Sequence, residues 1–262
     1  MNDIYTSAVI NARLGSMLTS ERIRRMVAMP TASEAAKILM ECGWEIIEND
    51  DDMINAERAR IVADFTEFCT DEKLRYATLA RFDYHNAGVL YNNGTGLYPF
   101  SSIKSIKDYA LLPEQMARGL RFLDTLNNPT PAQVEAVLQK CMYSDIKLND
   151  YFRAEIDITN LRLAAKKVDE FIEDGTLDET VLKTLHHYDT EYNEVAKALT
   201  HSLERFENVS GQFLIEKAKQ GAEVFYWFIK RLEELRIVKT ILVGKKFGRS
   251  REELLIELGG VL

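Results

Sequence analysis

The chain has few of the residues that interrupt helices. Its 262 residues include only 13 glycines and 5 prolines, which argues against a β fold with many tight turns and favours long helices. No segment alternates apolar and polar residues over the length of a strand. The longest apolar run, residues 224–229, is far shorter than the roughly 20 residues that a membrane-crossing helix needs. We therefore expect an all-α protein without a membrane span.

Cysteine and positive charge are also scarce. Cys42, Cys69 and Cys141 lie far apart and form no CxxC pair, which favours buried, reduced thiols over disulfides or a metal site. A net charge of −8 does not provide the basic surface that binds phosphate backbones, so we expect no nucleic-acid partner. Asp3 and Arg13 interrupt the first apolar stretch, so we also expect no signal peptide.

The motifs of common catalytic sites are missing. Gly244-Lys245 lacks the GxxxxGK[ST] pattern of a phosphate-binding loop and is predicted to cap a helix C-terminus. His186, His187 and His201 suggest a metal site, but HExxH is absent, and partly exposed helical histidines are the simpler interpretation. No GxSxG elbow and no cysteine nucleophile is apparent. We expect no cofactor, no metal and no catalysis by this chain alone.

A helical segment recurs at a constant offset of 74 residues. The copies read DYHNAGVL at 83–90, DITNLRLA at 157–164 and, more weakly, RLEELRIV at 231–238. The first two share an Asp-x-x-Asn pair, whereas the third has Arg231 and Glu234 at those positions. A constant offset predicts one supersecondary unit built three times, although two amphipathic helices also match weakly by chance. The predicted units are 1–100, 101–174 and 175–262.

Capping signals and breaks locate the helices. Apolar residues spaced by three and four predict a long helix from Gly221 to Val243 that ends at Gly244. We expect a loop at Tyr91–Ser102 and helix–helix turns at 127–131 and 173–176. Four hydroxyl residues are followed three positions later by Glu or Gln, the pattern of a capping box: Thr31 and Glu34, Thr130 and Gln133, Thr176 and Glu179, and Ser250 and Glu253.

Charged residues stand beside core-type positions within the apolar helices. These residues are Arg13, Asp83, Asp157, Arg162 and Arg236. Because a buried charge is costly unless it is paired, one interpretation is that they pair with one another between neighbouring units. The other is that some of them contact a partner protein.

Four segments together resemble a known family. The first is the opening helix with Tyr5, Asn11-Ala12-Arg13 and Met17-Leu18, and the second is Arg81-Phe82-Asp83-Tyr84-His85-Asn86. The third is Asp157-Ile158-Thr159-Asn160-Leu161, and the fourth is Glu233-Glu234-Leu235-Arg236-Ile237-Val238 followed by Leu242-Val243-Gly244-Lys245. In order and spacing the chain resembles the C subunit of bacterial and archaeal V-type (A-type) rotary ATPases, whose eukaryotic relative is the d subunit.

The resemblance implies a fold and a role. Members of this family have three similar helical units about a pseudo-threefold axis, which form a funnel. The funnel is a non-catalytic spacer on the cytoplasmic face of the membrane: it accepts the central stalk, rests on the membrane rotor ring, and couples ATP turnover to H⁺ or Na⁺ transport. Family members are usually several dozen residues longer, and the third copy here lacks the acid–asparagine pair.

Candidate partner contacts follow from the resemblance. We expect the socket for the central stalk to include basic residues, namely Arg13, Arg162, Arg236, Lys245 and Lys246. The membrane would be reached only indirectly, through the rotor ring subunits. Two other interpretations stay open, which are a free-standing helical repeat scaffold that binds a protein or peptide and a metal-dependent helical enzyme that uses the histidines.

Overall fold

The computed structural model describes residues 3–144, 146, 149–168, 171–178 and 191–258. Within these ranges the chain consists of helices joined by turns and contains no β-strand, so the predicted all-α class is confirmed. The chain divides into two compact units. Unit 1 comprises Met1–Cys69 and Lys197–Leu262, and unit 2 comprises Thr70–Ala196. The division into three units at 1–100, 101–174 and 175–262 stays a prediction.

The helices follow one another with short connections. The first group is α1 (Asp3–Gly15), α2 (Ser20–Ala28), α3 (Ala32–Lys37) and α4 (Asp50–Phe68). Next come α5 (Glu72–Tyr91), α6 (Glu114–Thr125), α7 (Pro131–Ser144) and α8 (Asp150–Ala165). The last are α9 (Asn193–His201), α10 (Leu203–Ala218), α11 (Glu223–Lys246) and α12 (Arg251–Glu257), and short 3₁₀ turns occupy Ile38–Cys42 and Tyr109–Leu111.

Unit 1 is built around α11. This helix packs against α1, α3, α4, α10 and α12, and it is therefore buried on most of its circumference rather than along one stripe. Phe228 of α11 lies 4.3 Å from Phe65 of α4 between ring centroids, and both side chains are fully buried. The predicted stripe residues Leu235, Val238 and Leu242 also lie in this core.

Unit 2 is organised by α7, which packs against α5, α6 and α8. Pro131 begins α7 as its first helical residue, as predicted, where its missing N–H leaves no hydrogen bond unmade. Arg81 of α5 and Glu155 of α8 stand at equivalent repeat positions and pair directly at 2.9 Å. Tyr143 and Tyr151 also donate their hydroxyls to the Glu155 carboxylate. The two copies of the repeat in this unit therefore meet through matching residues.

The repeated asparagines hold the segments that follow their helices. Asn86 of α5 donates to the Tyr98 carbonyl at 3.0 Å and accepts from the Tyr98 N–H at 2.8 Å. Asn160 of α8 makes the same two bonds with Ile172, both at 2.9 Å. In each copy the partner lies 12 residues downstream, so a buried amide satisfies both polar groups of one loop residue.

The repeated aspartates act in the same way on the next turn. Asp83 accepts from the Ser102 N–H at 2.7 Å, and Asp157 accepts from the Thr176 N–H at 2.9 Å, in both copies 19 residues downstream. Asp157 is fully buried and also accepts from the Leu177 N–H. The expectation that these aspartates pair with arginines of neighbouring units is therefore wrong. They compensate their burial with hydrogen bonds from loop backbone and hydroxyl groups.

We use the term Asp/Asn clasp for the side chains of Asp83 and Asn86, and of Asp157 and Asn160, with the loop groups that they bind. The third copy of the repeat forms no such clasp. The residue 12 positions after Glu234 is Lys246, which is still part of α11, so no loop lies there to be held. Glu234 instead accepts from the Leu18 N–H at 3.1 Å and pairs with Arg231.

The helix ends also repeat. Helices α5 and α8 both end in a residue with a positive φ, Asn93 (52°) and Lys167 (56°), which again lie 74 residues apart. The next two N–H groups bind the last carbonyls in the pattern of a Schellman motif. The predicted end of α11 at Gly244 is wrong. The helix continues to Lys246, and Gly248 (φ 73°) takes the left-handed position.

The predicted capping boxes have different outcomes. Ser250 and Glu253 form a complete box, and so do Thr130 and Gln133. Thr31 accepts from the Glu34 N–H, but the Glu34 carboxylate binds the Thr31 hydroxyl rather than its backbone. Thr176 donates its hydroxyl to Asp157 instead, and Glu179 lies outside the described residues. The predicted loop at Tyr91–Ser102 and the turns at 127–131 and 173–176 are confirmed as non-helical connections.

We predict that Asn160→Ala strongly destabilises the loop that Asn160 holds. The substitution leaves the N–H and carbonyl of Ile172 without their partner, which we expect to cost about 2–4 kcal/mol. Amide hydrogen exchange at Ile172 should accelerate markedly. Asn92→Ala is the control, because the Asn92 side chain makes one exposed bond to the Gly88 carbonyl. Equal effects of the two changes would contradict the proposed structural role of the clasp.

We predict opposite effects of alanine at two helical glycines. A Cβ at Gly244 would lie 2.5 Å from Cδ2 of the fully buried Leu254, so Gly244→Ala should destabilise the fold by about 1–3 kcal/mol. A Cβ at Gly15 would meet nothing within 4 Å, so Gly15→Ala should stabilise it by up to about 1 kcal/mol. Urea denaturation measures both. A stabilising Gly244→Ala would show that Leu254 moves aside freely.

Candidate functional site

Four of the five candidate contact residues belong to unit 1, and Arg162 belongs to unit 2. The structure does not bring the four together into one basic surface. Each has partners within its own unit, and these partners differ in strength and exposure. Arg162 lies half-buried in the last turn of α8.

Arg13 is held in a fixed position on α1. Its guanidinium makes a two-pronged pair with the Asp64 carboxylate of α4, with Nη2 at 3.0 Å from Oδ1. Its Cζ also lies 5.6 Å from the ring centroid of Phe68 and 5.9 Å from that of Trp227. Arginine suits this environment because its planar fork can pair with a carboxylate while it stacks on aromatic rings. The side chain remains 35% exposed.

Arg236 is committed to partners near the middle of α11. Its Nε lies 2.8 Å from Oε2 of Glu233, and its Nη2 binds both Glu233 and Asn208. Burial raises the pKa of the Glu233 carboxyl despite the arginine beside it. The pairing of Arg236 therefore serves to stabilise a buried acid within unit 1.

Lys245 and Lys246 differ sharply although they are adjacent. The Lys245 amine donates to the carbonyl of Val27 at 2.9 Å and to that of Met29, so it satisfies the end of α2. Burial lowers its pKa. Lys246 pairs with Asp50 at 3.0 Å and is 54% exposed. The following residue, Phe247, is 82% exposed, so this end of α11 presents a cation and an aromatic ring to the surroundings.

A buried ion network crosses unit 1, and sequence reasoning missed its centre. Arg231 of α11 pairs with Glu57 of α4 and with Glu234, and all three side chains are at most 5% exposed. Arg60 also pairs with Glu57, at 2.7 Å. The sequence held a signal, since Arg231 and Glu234 replace the Asp/Asn pair inside an apolar helix. Nothing in the sequence indicated that Glu57 would be their partner.

A cavity of about 300 Å³ lies beside this network within unit 1. Its charged lining includes Arg13, Arg60, Arg231, Glu57 and Asp64. The indole of Trp227 also lines it, next to Ser16 and Cys42. This is the concave site of the described residues at which charged groups converge most clearly, and its volume is at the lower end of the range for small-ligand pockets.

Metal and membrane features were sought in the same residues. The described part of the chain contains no group of three or more His, Cys, Asp or Glu side chains placed to hold a metal ion. His186 and His187 lie outside the described residues, and His201 is exposed at the end of α9. All three cysteine thiols are free, and those of Cys42 and Cys69 are buried. Among the described helices, none combines the length and apolarity that a bilayer-spanning segment requires.

Comparison with known proteins gives no further guide. No protein-family model matches the chain, and no curated protein is similar to it in sequence. Functional interpretation therefore depends on the arrangement described above and on the resemblance of the four sequence segments.

We predict that Arg231→Met destabilises the fold by about 3–5 kcal/mol, because it leaves Glu57 and Glu234 buried without their shared cation. The triple variant that adds Glu57→Gln and Glu234→Gln should recover much of this loss, since no uncompensated charge remains. Guanidinium denaturation compares the three proteins. A triple variant that is less stable than Arg231→Met would show that the network itself provides the stability.

The buried carboxyl of Glu234 predicts a pH dependence. Burial raises its pKa above the usual 4.5 and outweighs the opposing effects of Arg231 and the Leu18 N–H. A carboxyl whose pKa is raised on folding favours folding fully below its unfolded pKa, and loses that contribution as pH rises through the folded pKa. The stability of Glu234→Gln relative to the parent should therefore increase as pH rises above 4.5.

Glu253 provides the control of opposite sign. Hydrogen bonds from Ser250 lower the pKa of this exposed carboxyl. The relative stability of Glu253→Gln should therefore decrease as pH rises towards the usual carboxyl pKa and should then stay level. Denaturant titrations across the acid range measure both variants, and parallel curves for the two would contradict the burial argument for Glu234.

Proposed function

We propose that this chain is the non-catalytic spacer of a V-type rotary ATPase, similar to the C subunit of the bacterial and archaeal complexes. In this proposal it is a socket for the central stalk and rests on the rotor ring of membrane subunits. It transmits torque between ATP turnover and ion transport, and it needs no cofactor. The pseudo-threefold funnel and the location on the cytoplasmic face of the membrane are part of the proposal.

The observation that carries the proposal is the repetition of the Asp/Asn clasp. The resemblance requires similar helical units in series, and the clasp recurs with the same donors, acceptors and loop positions at an offset of 74 residues. Independent loops have no reason to be held at the same distances by the same residue types. The repetition therefore supports a common supersecondary unit, on which the resemblance depends.

The physics of the role fits the packing. A part that transmits torque must resist deformation, and packed helices with buried ion pairs and clasped loops have few soft connections. A spacer also needs surfaces for proteins rather than for nucleic acid, and the net charge of −8 agrees with that. We propose central-stalk and rotor ring subunits as its partners.

The structure changes the ranking of the candidate contact residues. Arg236 and Lys245 are committed to internal partners, so their loss would weaken the fold before it affected a partner. Lys246 is half exposed beside the exposed Phe247. An aromatic ring next to a cation is typical of residues that contribute most to binding at protein interfaces. We therefore propose this end of α11 as a stalk contact.

A binding experiment tests the proposal. We expect the purified chain to bind the central-stalk subunits of the same cell's V-type ATPase at a ratio near one to one. Lys246→Gln with Phe247→Ala should weaken this binding by about 10-fold or more, because it removes an exposed cation and a large apolar contact. Sedimentation or calorimetry measures the affinity, and circular dichroism checks that the variant remains helical.

Lys239→Gln is the matched control. Lys239 lies on the same helix, has the same 54% exposure and makes a comparable surface pair with Asp51. It should leave stalk binding unchanged. If the folded chain does not bind the stalk, the spacer proposal is wrong, and a free-standing helical scaffold becomes the leading interpretation. If both lysine changes weaken binding equally, long-range charge rather than this contact accounts for the effect.

A further inference from the structure

The cavity in unit 1 contains a buried donor that has no acceptor. Trp227 is 1% exposed and lines the cavity, and its Nε1–H finds no hydrogen-bond partner among the described residues. A buried polar group without a partner costs free energy, so such a group in a cavity wall indicates an absent acceptor. This acceptor belongs in the cavity because the ring of Trp227 forms part of its wall.

The other polar groups of the lining also favour an acceptor. A guanidinium has five N–H donors, and Arg13 uses two of them on Asp64. Arg60 uses two, one on Glu57 and one on the Gly43 carbonyl. Every carboxylate of the lining already binds at least one arginine, including Glu41, which Arg22 and Arg25 hold. The unused hydrogen-bonding capacity of the cavity is therefore mainly that of donors.

The local charge has the same tendency. The lining carboxylates and arginines, taken with their ionic partners, comprise five arginines and four acids: Arg13, Arg22, Arg25, Arg60 and Arg231 against Glu41, Glu57, Asp64 and Glu234. The site is thus net positive within a chain whose net charge is −8. Burial raises the pKa of the Asp64 and Glu234 carboxyls, which further weakens the negative side.

We infer that this cavity binds a small oxyanion, the carboxylate or phosphate group of a small molecule. Trp227 donates its indole N–H, while Arg13 and Arg60 donate their unused guanidinium N–H groups. Arg13 is preorganised for this because Asp64 and two aromatic rings fix its plane. The site lies within unit 1 and is a property beyond the spacer role, so either proposal can fail without the other.

Nuclear magnetic resonance of the two indole N–H groups tests the inference. The chain has two tryptophans, and Trp44 is a natural control, since its Nε1–H is also buried without a partner but its side chain does not line the cavity. We expect inorganic phosphate or succinate, titrated against sodium chloride at equal ionic strength, to shift the Trp227 resonance saturably and to leave that of Trp44 in place. The anion that saturates at lower concentration identifies the ligand as a phosphate or a carboxylate.

Two arginine variants test the donors. Arg60→Gln removes a lining donor from a side chain that is 47% exposed, and Arg25→Gln removes an equal charge from a side chain that is 46% exposed and does not line the cavity. Arg60→Gln should raise the dissociation constant about 3- to 10-fold, and Arg25→Gln should change it little. Equal weakening by both would overturn the site, because charge alone would explain it. Unsaturated or equal shifts of both indoles would also overturn it, and would mean that water satisfies Trp227.

Discussion

The two long loops of unit 2 depend on one constraint, which is that a buried backbone N–H or carbonyl must find a partner. The loops after α5 and α8 cross apolar surface without regular structure, so their own backbones cannot satisfy it. Asn86 and Asn160 each bind both groups of one loop residue, and the aspartates three positions earlier bind the next turn. A helix is a stiff platform for such groups, and residues three positions apart lie on the same face of it.

The same sequence positions solve a different problem in unit 1. Where α5 and α8 have Asp and Asn, α11 has Arg231 and Glu234, and the helix continues where the other two end. With no loop to hold, these side chains bind Glu57 of α4 and the backbone N–H at Leu18. The repeat thus keeps a polar pair on a helix face, while the partner depends on what lies opposite. In unit 1 this arrangement leaves a cavity with surplus donors.

The site shows how far sequence reasoning extends. It identified Arg13 and Arg236 as charges beside core positions, and both are indeed paired. It assigned the wrong partners, because Asp64, Glu233 and Asn208 have no distinguishing pattern of their own. It gave equal weight to Lys245 and Lys246, although one amine satisfies the end of α2 and the other is half exposed. Adjacent residues on a helix point about 100° apart, so only packing separates them.

The all-α class, the loop at Tyr91–Ser102, the start of α7 at Pro131 and the recurrence at 74 residues can all be predicted from the amino-acid order. These features follow from local physics, since periodicity, capping residues and turn residues act within a few positions of one another. Packing in three dimensions was needed to show that α11 runs past Gly244, because a buried Leu254 lies where a side chain would stand. Packing also brought Arg231 to Glu57 and placed Trp227 in a cavity wall. Such contacts join residues far apart in the chain, and their energy depends on burial and distance, neither of which has a local signature.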